Sequence, residues 1–186
     1  MVHLEKKWLI AIIVVVVLGL FVVLLLFFPE KIGLKSQSML GNDYVKGINY
    51  INQGDYQNAK KVFEKLASSD SANVNYWMQL AVAEYNLKNY NKSIANYQKV
   101  LELDAKNAMA YNGEGNVYRD QKDFSKAEDC YRKAISANDK FIISYNNLAQ
   151  MLVGQNNKGA ATEVLKAGVK ANPDSVELKN ALENIK

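Results

Sequence analysis

From Leu40 to Ser175 the sequence repeats itself four times with a period of 34 residues and no insertion or deletion. A period of that length restricts the chain to folds made by stacking one supersecondary unit on the next, since a single unit cannot bury its own apolar face. The units are 40–73, 74–107, 108–141 and 142–175. Stacked in register, Gly47, Ala81, Gly115 and Ala149 form one column of small residues, and Ala59, Ser93, Ala127 and Ala161 form another. Phe63, Tyr97, Tyr131 and Leu165 fill a bulky column, and Tyr56, Tyr90 and Phe124 an aromatic one that Lys158 interrupts in the last unit.

Two antiparallel helices per unit account for these columns. Small residues sit where the helices cross and their backbones approach, and bulky ones fill the space between successive pairs. Breaks recur at one phase: Gly54-Asp55, Lys88-Asn89, Lys122-Asp123 and Asn156-Asn157 join the helices within units. Asp70, Asp104, Asn138 and Asn172 recur just before each new unit, where a side-chain oxygen would accept from exposed helix amides. After Ser175, Val176, Leu178, Leu182 and Ile185 fall at helical spacing, so 176–186 reads as a capping helix begun after Pro173.

The pattern resembles the tetratricopeptide repeat (TPR), best in the second unit, where Trp77, Leu80, Ala81, Ser93, Tyr97 and Val100 occupy the signature columns. The resemblance covers 136 of the 186 residues. It implies an all-α solenoid, a TPR superhelix of four helix pairs plus the C-terminal capping helix. Asp43 and Lys46 in the first unit, and Lys158 and Gly168 in the last, depart from the family at packing positions. Terminal repeats tolerate such departures because one face meets solvent.

Ahead of the array, Trp8 to Phe28 is a run of twenty-one residues without a charge. As a helix it would extend roughly 32 Å, enough for a hydrocarbon core of about 30 Å. The expected layout is a tail 1–7, a single transmembrane helix 8–28 in the lipid bilayer and a juxtamembrane linker 29–39. The run exceeds a signal-peptide core and ends in Phe27-Phe28-Pro29-Glu30, without a small-x-small cleavage site. A lipoprotein would need a cysteine near its end, and the sole cysteine is Cys130. Lys6 and Lys7 precede the span while Lys31, Lys35 and Lys46 follow it, so charge discriminates orientation weakly. The orientation adopted is a cytoplasmic N-terminus with the array on the extracytoplasmic side, in a bacterial envelope. Gly19 lacks a small residue four positions away on either side, so the span carries no GxxxG seam.

The resemblance implies a concave face, lined by the first helix of each pair, that binds a protein or peptide segment. Its columns would hold Tyr44, Met78, Asn112 and Asn146; Ile48, Val82, Asn116 and Gln150; Ile51, Tyr85, Arg119 and Val153, with Asn147 and Asp120 beside them. The first two units offer mainly apolar and aromatic groups, the last two mainly amides and Arg119. The expected ligand therefore has apolar anchors at the membrane-proximal end, and polar backbone or a carboxylate near Arg119. Packing of Tyr44, Met78 and Tyr85 between repeats, and an ion pair between Arg119 and Asp120, stand as the structural alternatives. The lysine-rich carboxylate clamp of chaperone-tail-binding TPR domains is missing from the matching columns.

Catalysis is not expected. His3 is the only histidine and lies before the span, which removes histidine general-base chemistry and multi-histidine metal sites, and Cys130 has no histidine to activate it. Gly113-Glu114-Gly115 opens no phosphate loop. No cofactor or metal is implied. A net charge of +4 with dispersed lysines gives no stripe for nucleic acid. The sequon Asn91-Lys92-Ser93 places Ser93 in a helix-crossing column, which disfavours glycosylation. The expected protein is a membrane-tethered scaffold, monomeric or weakly homo-oligomeric. A cytosol-facing receptor or adaptor and a self-associating membrane organiser are the rival readings.

Overall fold

The structure, a computed structural model, describes residues 34–185. The tail 1–7 and the span expected over 8–28 lie outside the described residues; among the described ones no helix is long and apolar enough to cross a membrane. Nine helices and no strand are described: α1 (Leu34–Asn52), α2 (Tyr56–Ser69), α3 (Val74–Asn86), α4 (Tyr90–Leu103), α5 (Ala108–Asp120), α6 (Phe124–Ala137), α7 (Ile142–Gly154), α8 (Lys158–Ala171) and α9 (Val176–Ile185). Residues 34–39, expected as linker, are helical instead. Leu34-Lys35-Ser36-Gln37-Ser38-Met39 contains neither proline nor glycine, so nothing local stops α1 from starting there. The chain divides at Val45 into two compact units. Of the first, the structure describes only the opening of α1; the second, from Lys46, holds the array.

Each turn within a helix pair is built alike. The amides of Asp55, Asn89, Asp123 and Asn157 donate to the carbonyls of Tyr50, Glu84, Tyr118 and Leu152 at 2.8, 2.9, 2.9 and 2.9 Å. These six-to-one bonds define Schellman stops, which require a left-handed residue just before the donor. That residue is Gly54 at φ 74°, but Lys88 (61°), Lys122 (64°) and Asn156 (63°) in the other units. A side chain there is strained, more for lysine than for asparagine. Lys88→Gly and Lys122→Gly should therefore each raise stability by about 0.5–1 kcal/mol, read as a higher urea midpoint with an unchanged slope. Asn156→Gly should gain less, and a loss on any of the three would contradict this account of the turn.

Capping differs from expectation. Asp70, Asp104 and Asn138 terminate α2, α4 and α6, and their side chains accept from the amides of Ala72, Lys106 and Lys140 within the loops. The helix starts are capped three residues later, by Asn73 on α3 and Asn107 on α5. Asn172 donates to the Asp139 and Gly168 carbonyls instead. An Asx residue bonds two residues ahead as readily as it caps a helix, so spacing alone does not choose between the two.

The small columns work as inferred. Phe63 is fully buried against Gly47, where an added Cβ would stand 2.6 Å from the ring, and Tyr131 against Gly115, at 2.7 Å. Ser93, fully buried, donates its hydroxyl to the Ala81 carbonyl at 2.9 Å. Gly168, a departure from the family pattern, has a local cause: the Tyr145 ring lies 2.9 Å from where its Cβ would be. Glu84 is buried between units, held by Lys60 Nζ at 3.2 Å and by the Asn89 amide at 2.6 Å. Paired on both oxygens, its carboxylate is tolerated inside.

Candidate functional site

Contacts between first helices define the inner face. From α3 onward each touches the next of its kind, α3 to α5, α5 to α7 and α7 to α9, whereas none of α2, α4, α6 and α8 touches another of that set. A stack closer on one side than the other is concave on the closer side, so α3, α5 and α7 line the groove and α9 extends it.

The middle of that face carries an amide ladder. Asn112 Oδ1 accepts from Ser144 Oγ at 3.2 Å and from Asn147 Nδ2 at 2.9 Å. Asn116 Oδ1 accepts from Tyr131 Oη at 2.8 Å and from Asn147 Nδ2 at 3.3 Å. Two donors occupy both lone pairs of each carbonyl, so Asn112 and Asn116 retain only donor capacity. A ligand carbonyl suits them; a ligand N–H does not.

Beside the ladder, Asp120 gathers two partners. Tyr85 Oη donates to it at 2.6 Å across the units, and Arg119 donates through Nε and Nη2 at 3.0 and 2.8 Å. Burial, then the Asp120 carboxylate, pushes the Tyr85 hydroxyl up to about 12. The ion pair alternative for Arg119 is thus formed. Both side chains remain about one-third exposed, so the pair contributes at most about 1 kcal/mol and a stronger ligand anion could displace Asp120.

The expected site residues separate on burial. Ile48, Val82, Tyr85, Asn116, Arg119 and Asn147 are half-buried and Gln150 is exposed. Met78 is buried, at 9% exposure, in a core cluster that also holds Ala81, Tyr97 and Ala110. Asn112 and Asn146 are also buried, at 7% and 8% exposure. Tyr44 is half-buried but belongs to the first unit, so the groove from Lys46 onward is described without it.

Two depressions flank Gln150. One, about 370 Å³, is bordered by Arg119, Phe124, Met151 and Gly154. The other, about 350 Å³, lies between α7, α8 and α9, with Asn146, Ala149, Leu165, Ala181, Asn184 and Ile185 around it. Asn146 Nδ2 donates to Glu177 on α9. The α9 contribution escaped the sequence reading, although continuing the period once more places Glu177 after Ile143 and Asn184 after Gln150. Away from the groove, Cys130 is buried and its thiol is pushed up to about 12 by burial, then by Glu114, which removes thiolate chemistry near neutral pH. Among the described residues no cluster of three or more histidine, cysteine or carboxylate side chains is placed to hold a metal.

Sequence profiles of the tetratricopeptide repeat match residues 70–140, and residues 44–73 and 142–175. No curated protein matches the sequence. Among solved structures, the chain is similar to MamA (TM-score 0.65, 21% identity, 77% of this chain and 84% of that one). It is similar to the first TPR domain of Spaghetti (RPAP3) bound to an HSP90 peptide, with TM-score 0.58 and 19% identity over 63% of this chain and 93% of that one. YrrB, a TPR protein with an unusual peptide-binding site, aligns with TM-score 0.54 and 25% identity over 66% of this chain and 63% of that one. With profile matches running from residue 44 to residue 175 and a helix-pair stack of the same phase, the chain belongs to the tetratricopeptide-repeat family.

Proposed function

We propose that the chain is a membrane-tethered scaffold that holds a segment of another protein along α3, α5 and α7. In this reading it assists assembly, secretion or chaperoning on the extracytoplasmic side of a bacterial envelope. It performs no catalysis itself. The observation that carries the groove is the pair of saturated amide carbonyls at Asn112 and Asn116, which leaves donors aimed at the needs of a peptide backbone. Two of the similar proteins, the RPAP3 domain and YrrB, are described as peptide binders, which supports the same use here. The tether rests on the apolar run Trp8–Phe28.

Photocrosslinking residues at Val82 and Gln150, with Lys166 on α8 as an outer-face control, test this in native membranes. Both inner positions should capture one and the same polypeptide and Lys166 should not, while protease added on the cytoplasmic side leaves the array intact. Cleavage of the array from that side would replace the envelope scaffold by a cytosol-facing receptor. Capture of a second copy alone would make the protein a self-associating organiser, and no inner capture would remove the groove.

A further inference from the structure

We propose that Arg119 and Tyr85 form a carboxylate receptor in the groove, filled in this structure by the chain's own Asp120, and that its ligand is an acidic side chain of the polypeptide segment held there. The proposal rests on the groove reading above and states what that segment must carry.

Charge placement singles the site out. Only two of the 23 basic side chains are arginines. Among the described residues, the helices that line the groove, α3, α5 and α7, carry a single cation between them, Arg119. A planar guanidinium fork takes a carboxylate through two N–H groups at once, whereas lysine acts as a point charge. Three donors are assembled here. Arg119 Nε and Nη2 meet Asp120 Oδ1 at 3.0 and 2.8 Å, and Tyr85 Oη meets Oδ2 at 2.6 Å. Nη2 also lies 3.5 Å from Tyr85 Oη, so the donors touch each other as well as the carboxylate. The arrangement fits a side-chain carboxylate, since one is already bound to it.

Asp120 is a weak occupant. As the last residue of α5 it places its charge at the negative end of the helix dipole. Sequence neighbours do not face each other on a helix, so spacing does not make its pair with Arg119. Both side chains are about one-third exposed, so water screens the pair and a ligand can reach it. Arg119 also borders the depression of about 370 Å³ beside Gln150 and Met151, which leaves an approach from α7. A segment lying along α3, α5 and α7 passes Arg119 at the middle helix and continues on both sides. The carboxylate that reaches it therefore belongs to a side chain and not to a chain end.

The test follows the two arginine Nε–H signals of the full chain in nonionic detergent micelles. Arg132, paired with Glu128 on α6, is the internal control. The probes, at constant ionic strength, are N-acetylglutamate N-methylamide, its neutral glutamine counterpart, and N-acetylalanine, whose carboxylate is terminal. The glutamate probe should shift Arg119 saturably and leave Arg132 in place, and the glutamine probe should shift neither. Asp120→Asn should tighten glutamate binding about fivefold, the most that an exposed pair of this kind withholds. Read from the Tyr85 ring, Arg119→Gln should abolish binding with or without Asp120→Asn. A gain from Asp120→Asn that survives Arg119→Gln would overturn the receptor, since it would report net charge alone. Equal shifts by the glutamate and glutamine probes, or unchanged affinity in Asp120→Asn, would overturn it too. Tighter binding of N-acetylalanine than of the glutamate probe would overturn the side-chain assignment in favour of a chain terminus. In native membranes Arg119→Gln should cut capture at Val82 several-fold; undiminished capture of the same polypeptide would overturn the proposal and leave the groove standing. No capture by the unaltered chain, with the glutamate probe still bound, would overturn the polypeptide as occupant.

Discussion

Tyr131→Ala should destabilise the array by about 3–5 kcal/mol, among the largest losses available to a single substitution in this chain. The side chain is fully buried, and its ring lies against Gly115 so closely that even a methyl there would sit 2.7 Å away. Neighbouring helices cannot collapse into the space the ring leaves, because Leu148 and Leu165 in the same cluster are already packed to zero and 1% exposure. Removing the hydroxyl also takes from Asn116 one of its two donors. Tyr131→Phe isolates that second part and should cost only about 1 kcal/mol. Urea unfolding followed by circular dichroism separates the two, and hydrogen exchange should show protection falling first in α5 to α8, since repeats unfold by neighbourhood. A cost under about 1 kcal/mol for the alanine variant would mean that the aromatic column does not hold the units together.

The features legible in the sequence are those written by a repeated local cause. A 34-residue period fixes which residues share a column, and the column of Gly47, Ala81, Gly115 and Ala149 states directly that something bulky lies opposite, as Phe63 and Tyr131 do. The turns were legible for the same reason, since Gly54 marks a left-handed position and the other three follow by phase. Illegible features depend on geometry between elements. Whether Asp70 caps the next helix or only its own loop depends on a backbone torsion that residue type does not fix. Met78 is buried in a cluster that includes Ala110 and Val117, residues of another unit and other columns. The amide ladder needs Ser144, Tyr131 and Asn147 to meet Asn112 and Asn116 across 15 to 35 positions of chain. Asparagines that look interchangeable in sequence differ in what they retain: donors at Asn112 and Asn116, an acceptor at Asn146.

Leu178→Ala should undock α9, and that loss would reach the groove. Ten residues of isolated helix are marginal in water, so α9 persists through what it buries, and Leu178 is its one fully buried side chain. Leu178 packs with Tyr145, Leu148 and Leu165, and its Cδ1 would lie 3.2 Å from a Cβ on Gly168, so the substitution opens a void that Gly168 cannot fill. A buried leucine truncated this way costs about 2–5 kcal/mol, more than so short a helix can otherwise supply. Hydrogen exchange should then show α9 unprotected while α3 to α6 keep their protection. Leu182→Ala, on a half-buried neighbour, should cost about 1 kcal/mol and leave α9 docked. The functional consequence follows from which helix supplies which wall. Without α9, Asn146 loses Glu177 and the depression beside Gln150 loses Ala181, Asn184 and Ile185, so crosslinking at Gln150 should be lost. Crosslinking at Val82 should persist, because α3 and α5 meet without help from α9. Unchanged protection of α9 in the Leu178→Ala chain would show that the cap is held by contacts other than its buried leucine.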